Sequence, residues 1–333
     1  MKNKLLVLLL AALMVVSMFS GCSKKEEAKN DSSASTELPK QDRSGNDITV
    51  PAEVKTIVSM APSTTEFLID LGLGDKIVGV DSYSQMSYAA ALKSDVAVFD
   101  MMAPDNEAIA ALSPDIVFTT GMSAAGGEDV FASLKEAGVC VADIPSSTSV
   151  KEIENDLIFI GTCVGKAAET DVIIAAMEET IGEIKKQAEG ISEKKTVLYE
   201  MSTPTADYPT IYSAGKDTYI DELLSIAGLT SVTADQDSWV GLSEEACIEM
   251  DPDIILTTDT YTPDVVNVLL GLEGWENVKA VANGDVYLLA NSDALNRPNQ
   301  HVVSALVEIA KTCYPDVFGD LADPFEVEEN AAA

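Results

Sequence analysis

Glu107-Ala-Ile-Ala-Ala-Leu-Ser-Pro-Asp-Ile-Val-Phe-Thr-Thr120 returns without a gap as Glu245-Ala-Cys-Ile-Glu-Met-Asp-Pro-Asp-Ile-Ile-Leu-Thr-Thr258. Both copies read as a helix, a proline break and a buried, β-branched strand. Two further segments repeat in the same order. Lys55-Thr-Ile-Val-Ser-Met60 is echoed by Lys195-Thr-Val-Leu-Tyr-Glu-Met201, each a short buried strand. Glu66-Phe-Leu-Ile-Asp-Leu-Gly-Leu73 is echoed by Glu222-Leu-Leu-Ser-Ile-Ala-Gly-Leu229, each a helix end closed by glycine. Helix-Pro-Asp-strand is a common local pattern, but three matches in one order predict two related lobes. Strands alternating with helices through right-handed crossovers imply a mainly parallel sheet in each.

Between the copies, apolar residues step by three and four through Ile153, Leu157, Ile160 and Val164, and again through Ile173, Met177, Ile181, Ile184, Ala188 and Ile191. Gly161 and Gly165 suggest a break, leaving one helix over 166–190, roughly 35 Å long at 1.5 Å per residue. The expected fold class is therefore α/β: two pseudo-symmetric lobes joined by one long helix. A ligand cleft lies between them, where the carboxyl ends of parallel strands meet a crevice.

Composition narrows the chemistry. The 333 residues carry 21 Lys+Arg against 55 Asp+Glu, a net charge of −34, so a nucleic-acid partner is excluded on repulsion. One histidine, His301, serves the whole chain, so no metal site of several imidazoles can be assembled. No G-x-S-x-G elbow accompanies it, and the run from Gly161 to Lys166 has the wrong spacing for a phosphate loop. No catalytic residue and no resident cofactor are expected.

Lys2 and Lys4, the apolar run Leu5 to Phe19 and then Ser20-Gly21-Cys22 have the order of an export signal. The apolar run is short for a spanning helix. Phe19-Ser20-Gly21-Cys22 resembles a bacterial lipobox, which implies acylation at Cys22 and a lipid anchor on the outer face of the cytoplasmic membrane. After Cys22 the chain is rich in Lys, Glu, Ser and Asp, the composition of a flexible leash. The domain reading is a signal peptide over 1–21, Cys22 and leash over 22–44, a first lobe over 45–165, a connecting helix over 166–190, a second lobe over 191–320 and a tail over 321–333. Cys140, Cys163, Cys247 and Cys313 read as small core residues, with one or two disulfides an alternative.

Over residues 45–314 the chain resembles the substrate-binding proteins of bacterial ABC importers for iron-siderophore complexes, haem and vitamin B12. The carriers are Ile48-Thr-Val-Pro-Ala52, Ile57-Val-Ser-Met-Ala-Pro-Ser-Thr-Thr-Glu66 and Leu73-Gly-Asp-Lys-Ile-Val-Gly-Val80. They continue with Ala111-Leu-Ser-Pro-Asp-Ile-Val117, Trp275-Glu-Asn-Val-Lys-Ala-Val281, Gly284-Asp-Val-Tyr287 and Arg297-Pro298. The resemblance implies a monomeric, non-enzymatic capture protein that hands an iron chelate, haem or corrinoid to a membrane permease, whose ATPase does the work.

It also implies that Glu107 and Glu245, one per lobe, dock onto permease arginines; plain helix-start charges are the alternative. Cleft positions become Tyr83, Met101, Tyr212, Trp239 and Arg297, with Met102, Tyr261 and Asn291 similarly placed. Flat aromatic faces suit a macrocycle, whereas anionic siderophores want arginines, and Arg297 has an alternative as a structural residue before the last helix. Met101 stands where similar cobalamin binders carry an aromatic. Met101 or His301 could ligate haem iron or cobalt, with a capping or surface role the alternative for His301. Other readings are an extracellular metal-complex reductase, or a sensor or storage lipoprotein without a permease.

Overall fold

The computed structural model describes residues 37–121 and 129–326. The expected export signal, Cys22, the leash up to residue 36 and the end of the expected tail lie outside the described residues.

The first lobe runs β1 (Ile57–Ser59), α1 (Pro62–Asp70), β2 (Ile77–Asp81), α2 (Ser82–Tyr88), β3 (Ala97–Phe99), α3 (Asn106–Ala111), β4 (Ile116–Thr120), α4 (Ala132–Glu136), β5 (Cys140–Ile144) and α5 (Val150–Cys163). Then α6 (Ala167–Ala188) leads into the second lobe. That lobe runs β6 (Thr196–Glu200), β7 (Ile211–Ala214), α7 (Tyr219–Ile226), β8 (Thr230–Ser231), β9 (Trp239–Leu242), α8 (Glu244–Met250), β10 (Ile254–Thr257), α9 (Val265–Leu270), α10 (Lys279–Asn283), β11 (Val286–Leu288), α11 (Ser292–Asn296), α12 (Val302–Cys313) and α13 (Pro315–Phe318).

The sheets are ordered β3-β2-β1-β4-β5 and β11-β10-β6-β8, and every pairing within them is parallel. Reversing the second order gives β8-β6-β10-β11, which superposes in sense on β2-β1-β4-β5 and pairs the strands that the sequence repeat pairs. The same polar staple fixes both central pairs. In the first lobe Asp115 accepts from the N–H groups of Lys55 and Thr56 at 2.7 and 3.0 Å, and its own N–H donates to Thr56 Oγ1 at 3.0 Å. In the second, Asp253 accepts from the N–H and Oγ1 of Thr196 at 2.8 and 2.9 Å, and its N–H donates to Thr196 Oγ1 at 3.0 Å. These bonds, led by the backbone ones, hold both carboxyls below the usual range.

The symmetry breaks at β3. The second sheet has no strand beyond β8 to match it, and β7 and β9 form a separate antiparallel ribbon, in register from Ile211↔Leu242 to Ala214↔Trp239.

Gly165, at φ 71°, closes α5, and α6 then runs 22 residues, about 33 Å at 1.5 Å per residue. One apolar cluster passes from Ile57 and Ile116 through Ile153, Met177 and Ile184 to Val197, Ile254 and Leu306, so the linking helices belong to a core shared by both lobes. The four cysteines are buried and free, which removes the disulfide alternative. Burial pushes the thiols of Cys140 and Cys163 up to about 11 and about 12.

The polar stretch expected as leash through residue 44 already packs on the first lobe from Leu38 onward. Asp42, buried, accepts from the N–H groups of Ser44, Asn46 and Asp143 at 3.0, 2.9 and 3.0 Å. Arg43 pairs with the buried carboxylate of Asp156. Low hydrophobicity there reflects side-chain hydrogen bonding in place of apolar burial.

Candidate ligand cleft and rim glutamates

Exposed large apolar side chains gather where strands end. Tyr83 follows β2, Met102 follows β3, Tyr208 follows β6, Tyr261 follows β10, and Leu288 closes β11. The β7–β9 ribbon adds Tyr212 and Trp239, 54% and 49% exposed, while Ile211, Ser213 and Leu242 point inward. Tyr212 opposes Gly241 and Trp239 opposes Ala214, so the two rings share one face as diagonal neighbours, roughly 7–8 Å apart between Cα atoms. A methyl at Gly241 would press on the Thr210 methyl at 3.0 Å while lying in ordinary contact with the Tyr212 ring at 3.7 Å. An open pocket of ≈ 330 Å³ lies between the loop Asp259–Val266 and Leu288 on the same side of the second sheet.

Four residues of the second lobe bond to α1 and α2 of the first. Arg297, just beyond α11, donates to the Tyr88 hydroxyl and to Ser87 Oγ at 2.8 Å on α2, and lies over the Tyr88 ring. Asn299 Nδ2 donates to Glu66 Oε2 at 2.7 Å, Gln300 Nε2 donates to Asp70 Oδ2 at 2.6 Å, and His301 Nε2 shares that oxygen at 2.8 Å. This strap of residues, Arg297 to His301, ties the second lobe to α1 and α2 of the first.

Of the residues the sequence reading puts in a cleft, Tyr83, Tyr212 and Trp239 stand exposed. Three others are placed differently. Met101 is 8% exposed and packs with Val58, Met60, Phe99 and Ile109; its neighbour Met102, 47% exposed, faces out. The Asp100 carboxylate, accepting from Met102 N–H at 2.8 Å, fixes the turn that decides which methionine goes inside. Arg297 is engaged by Ser87, Tyr88 and Asp293, the structural role set against ligand contact. His301 is turned toward the first lobe: Asp70 holds its Nε2, and the ring, its side chain 17% exposed, packs edge-on against Phe325. Burial opposes the charged imidazole, but Asp70, Glu66 and Asp323 outweigh it and raise its pKa. Asn291 caps α11 through Ala294 N–H at 3.2 Å. Among the described residues, no three His, Cys, Asp or Glu side chains gather as a metal site.

Sequence reasoning missed Glu200. It ends β6, is 1% exposed, and neither carboxylate oxygen meets a hydrogen-bond donor of good geometry. Burial pushes its pKa to about 7; Thr257 alongside offsets only part, and the Asp259 carboxylate adds to the rise. Asp259 itself is held at about 2: burial opposes its charge, but Thr203 N–H at 3.0 Å and the Thr262 hydroxyl at 2.7 Å more than compensate. The only trace in sequence is a charged residue closing an apolar strand.

Glu107 and Glu245 occupy the same position of matched helix starts. Asp105 caps α3 by accepting from Ala108 N–H at 3.0 Å, Ser243 caps α8 by accepting from Ala246 N–H at 3.3 Å, and both glutamates are exposed in the first turn. Its own N–H and the Ser243 hydroxyl lower the pKa of Glu245.

The comparisons agree with this architecture. The sequence signature of the periplasmic binding protein family matches residues 57–292. An uncharacterized ABC transporter substrate-binding lipoprotein of Bacillus subtilis, YvrC, is 32% identical over 93% of this chain and 96% of its own. A cobalamin-binding protein of Halobacterium salinarum is 24% identical over 86% of this chain and 76% of its own. The crystal structure of a possible iron-binding (periplasmic solute-binding) protein from Staphylococcus epidermidis superposes with a TM-score of 0.68 at 25% identity, over 79% of this chain and 99% of that one. With its paired parallel sheets and shared core, this chain belongs to the periplasmic binding protein family.

Proposed function

We propose that the chain is the substrate-binding lipoprotein of an ABC importer, capturing an iron complex or cobalamin in the crevice and presenting it to a permease through Glu107 and Glu245. The observation that carries the reading is the pairing of an exposed aromatic face on Tyr212 and Trp239 with one exposed glutamate at the second position of a side-chain-capped helix on each lobe. Apolar faces of this kind remove a flat ring from water at about 25 cal/mol per Å². Two symmetric carboxylates suit a two-fold symmetric partner, since each accepts a charge-assisted pair of bonds from an arginine. Cys22 supplies the anchor in this reading, and no helix among the described residues is long and apolar enough to cross a membrane.

The test is uptake of labelled ligand by cells carrying Glu107→Lys with Glu245→Lys. Reversal of both charges should cut uptake at least about tenfold, the equivalent of about 1.4 kcal/mol, while ligand affinity of the isolated protein holds. Unchanged uptake points to a sensor or storage protein.

A further inference from the structure

The second lobe buries a carboxylate where the first buries a methionine. Register along the two staples sets Glu200 at the place of Met60, and the helix repeat sets Cys247 at the place of Ile109. Met60 and Ile109 belong to one apolar cluster and are fully buried. Glu200 and Cys247 are buried as deeply, and they are neighbours: burial and, after it, the Glu200 carboxylate raise the Cys247 thiol to about 12. Packing alone would have kept a thioether here. A buried carboxylate needs a hydrogen-bond partner, a cation or a proton.

Other oxygens nearby also lack partners. Of seven buried side-chain atoms without a hydrogen bond among the described residues, four are the two Glu200 oxygens, Thr203 Oγ1 and Ser213 Oγ, so the shortfall is concentrated in β6, β7 and the loop between them. The backbone holds these three residues to one region. Met201 N–H, next to Glu200, donates to Tyr212 O, next to Ser213, at 3.0 Å. Thr203 N–H donates to Asp259 Oδ2 at 3.0 Å, Asp259 N–H donates to Thr257 Oγ1 at 3.1 Å, and Thr257 is the β10 partner of Glu200. Asp259 spends its own oxygens on the N–H groups of Thr203, Tyr261 and Thr262 and on the Thr262 hydroxyl, which leaves it a second negative charge beside Glu200 rather than a ligand.

One carboxylate and two hydroxyls make a hard oxygen set. Softer metals want imidazole or thiolate, and no three His, Cys, Asp or Glu side chains gather among the described residues. Magnesium keeps its waters, whereas calcium accepts a bidentate carboxylate in irregular geometry. We propose that Glu200, with the hydroxyls of Thr203 and Ser213, holds a hard cation of the calcium class inside the second lobe, with Asp259 balancing its second charge. Such an ion ties the end of β6 to β7, the base of the ribbon that carries Tyr212 and Trp239. The site lies within one lobe and is independent of which ligand the chain carries.

The test is thermal melting of the full chain in detergent at pH 8, stripped with chelator and then titrated with calcium chloride, magnesium chloride or choline chloride at matched ionic strength. The choline arm matters because a chain of net charge −34 gains from any salt by screening. Calcium should raise the melting midpoint by several degrees beyond choline, and magnesium by less. Glu200→Gln should erase that difference, whereas Asp235→Asn, which removes an exposed carboxylate, should keep it. Thr203→Val and Ser213→Ala should each weaken apparent calcium affinity several fold, which carries the test should Glu200→Gln fail to fold. A calcium response that survives in Glu200→Gln, hydroxyl variants with unchanged affinity, or a parent in which calcium does no more than choline overturns the site. None of these outcomes touches the substrate-binding reading.

Discussion

Glu200 is the residue whose placement local preference least explains. Its strand, Thr196-Val-Leu-Tyr-Glu200, alternates between the shared core, which takes Val197 and Tyr199, and the second-lobe cluster, which takes Leu198. Period two then sends Glu200 to the Leu198 face, beside Thr257 in register on β10. With its pKa raised from 4.5 to about 7 by burial, the folded chain holds this proton more tightly than the unfolded one. Its contribution to stability is full below about pH 4.5 and is lost as pH rises through about 7, a swing on the order of 3 kcal/mol. Glu200→Gln should therefore be more stable than the parent at pH 8 by a few kcal/mol, with the gap closing at pH 5, in urea melts followed by circular dichroism. A gap of equal size at both values would mean that the parent carboxyl is already ionised throughout.

At the scale of elements, the crossing of α5 and α6 turns on Gly161. A Cβ there would meet Thr170 Oγ1 at 1.9 Å, and Thr170, 1% exposed and bonded to Lys166 O at 3.0 Å, has nowhere to swing. Gly161→Ala should cost about 1–3 kcal/mol, the usual range for overpacking, and adding Thr170→Ala should return most of it. A double variant no more stable than the single one would show that backbone strain, not this contact, carries the loss. The pair is the reason for a glycine that the sequence reading took only as a break; the break itself is made by Gly165 in the left-handed region. The β7–β9 ribbon was not legible for a related reason: its strands are four residues each, and the partner is set by contacts between segments far apart in the chain.

For the whole molecule, the strap from Arg297 to His301 decides how the lobes stand. Its bonds converge on Glu66, Asp70, Ser87 and Tyr88 of the first lobe, and the core continues across the linking helices. Ligand capture should accordingly change the shape little, as family likeness also leads one to expect. Arg297→Ala with Asp70→Asn should enlarge the radius of gyration in small-angle scattering and split one calorimetric transition into two; a single unshifted transition would assign the lobes' union to the apolar core alone. Because Asp70 and its neighbours raise the His301 pKa, the histidine's share of the strap is present below about pH 6.5 and fades as pH rises through the raised value.

Sequence by itself determined the paired strands, the Pro-Asp turns that staple them, the capped glutamates and the period of the linking helices, because each rests on neighbours within a few residues or on an internal copy that repeats the same local chemistry. Only tertiary structure decided that Met102 and not Met101 faces out, that Arg297 and His301 tie lobes together, and that Glu200 is buried without a partner. Those outcomes depend on which surfaces meet across hundreds of residues, as Arg297 meets Ser87, and no local pattern encodes such a meeting.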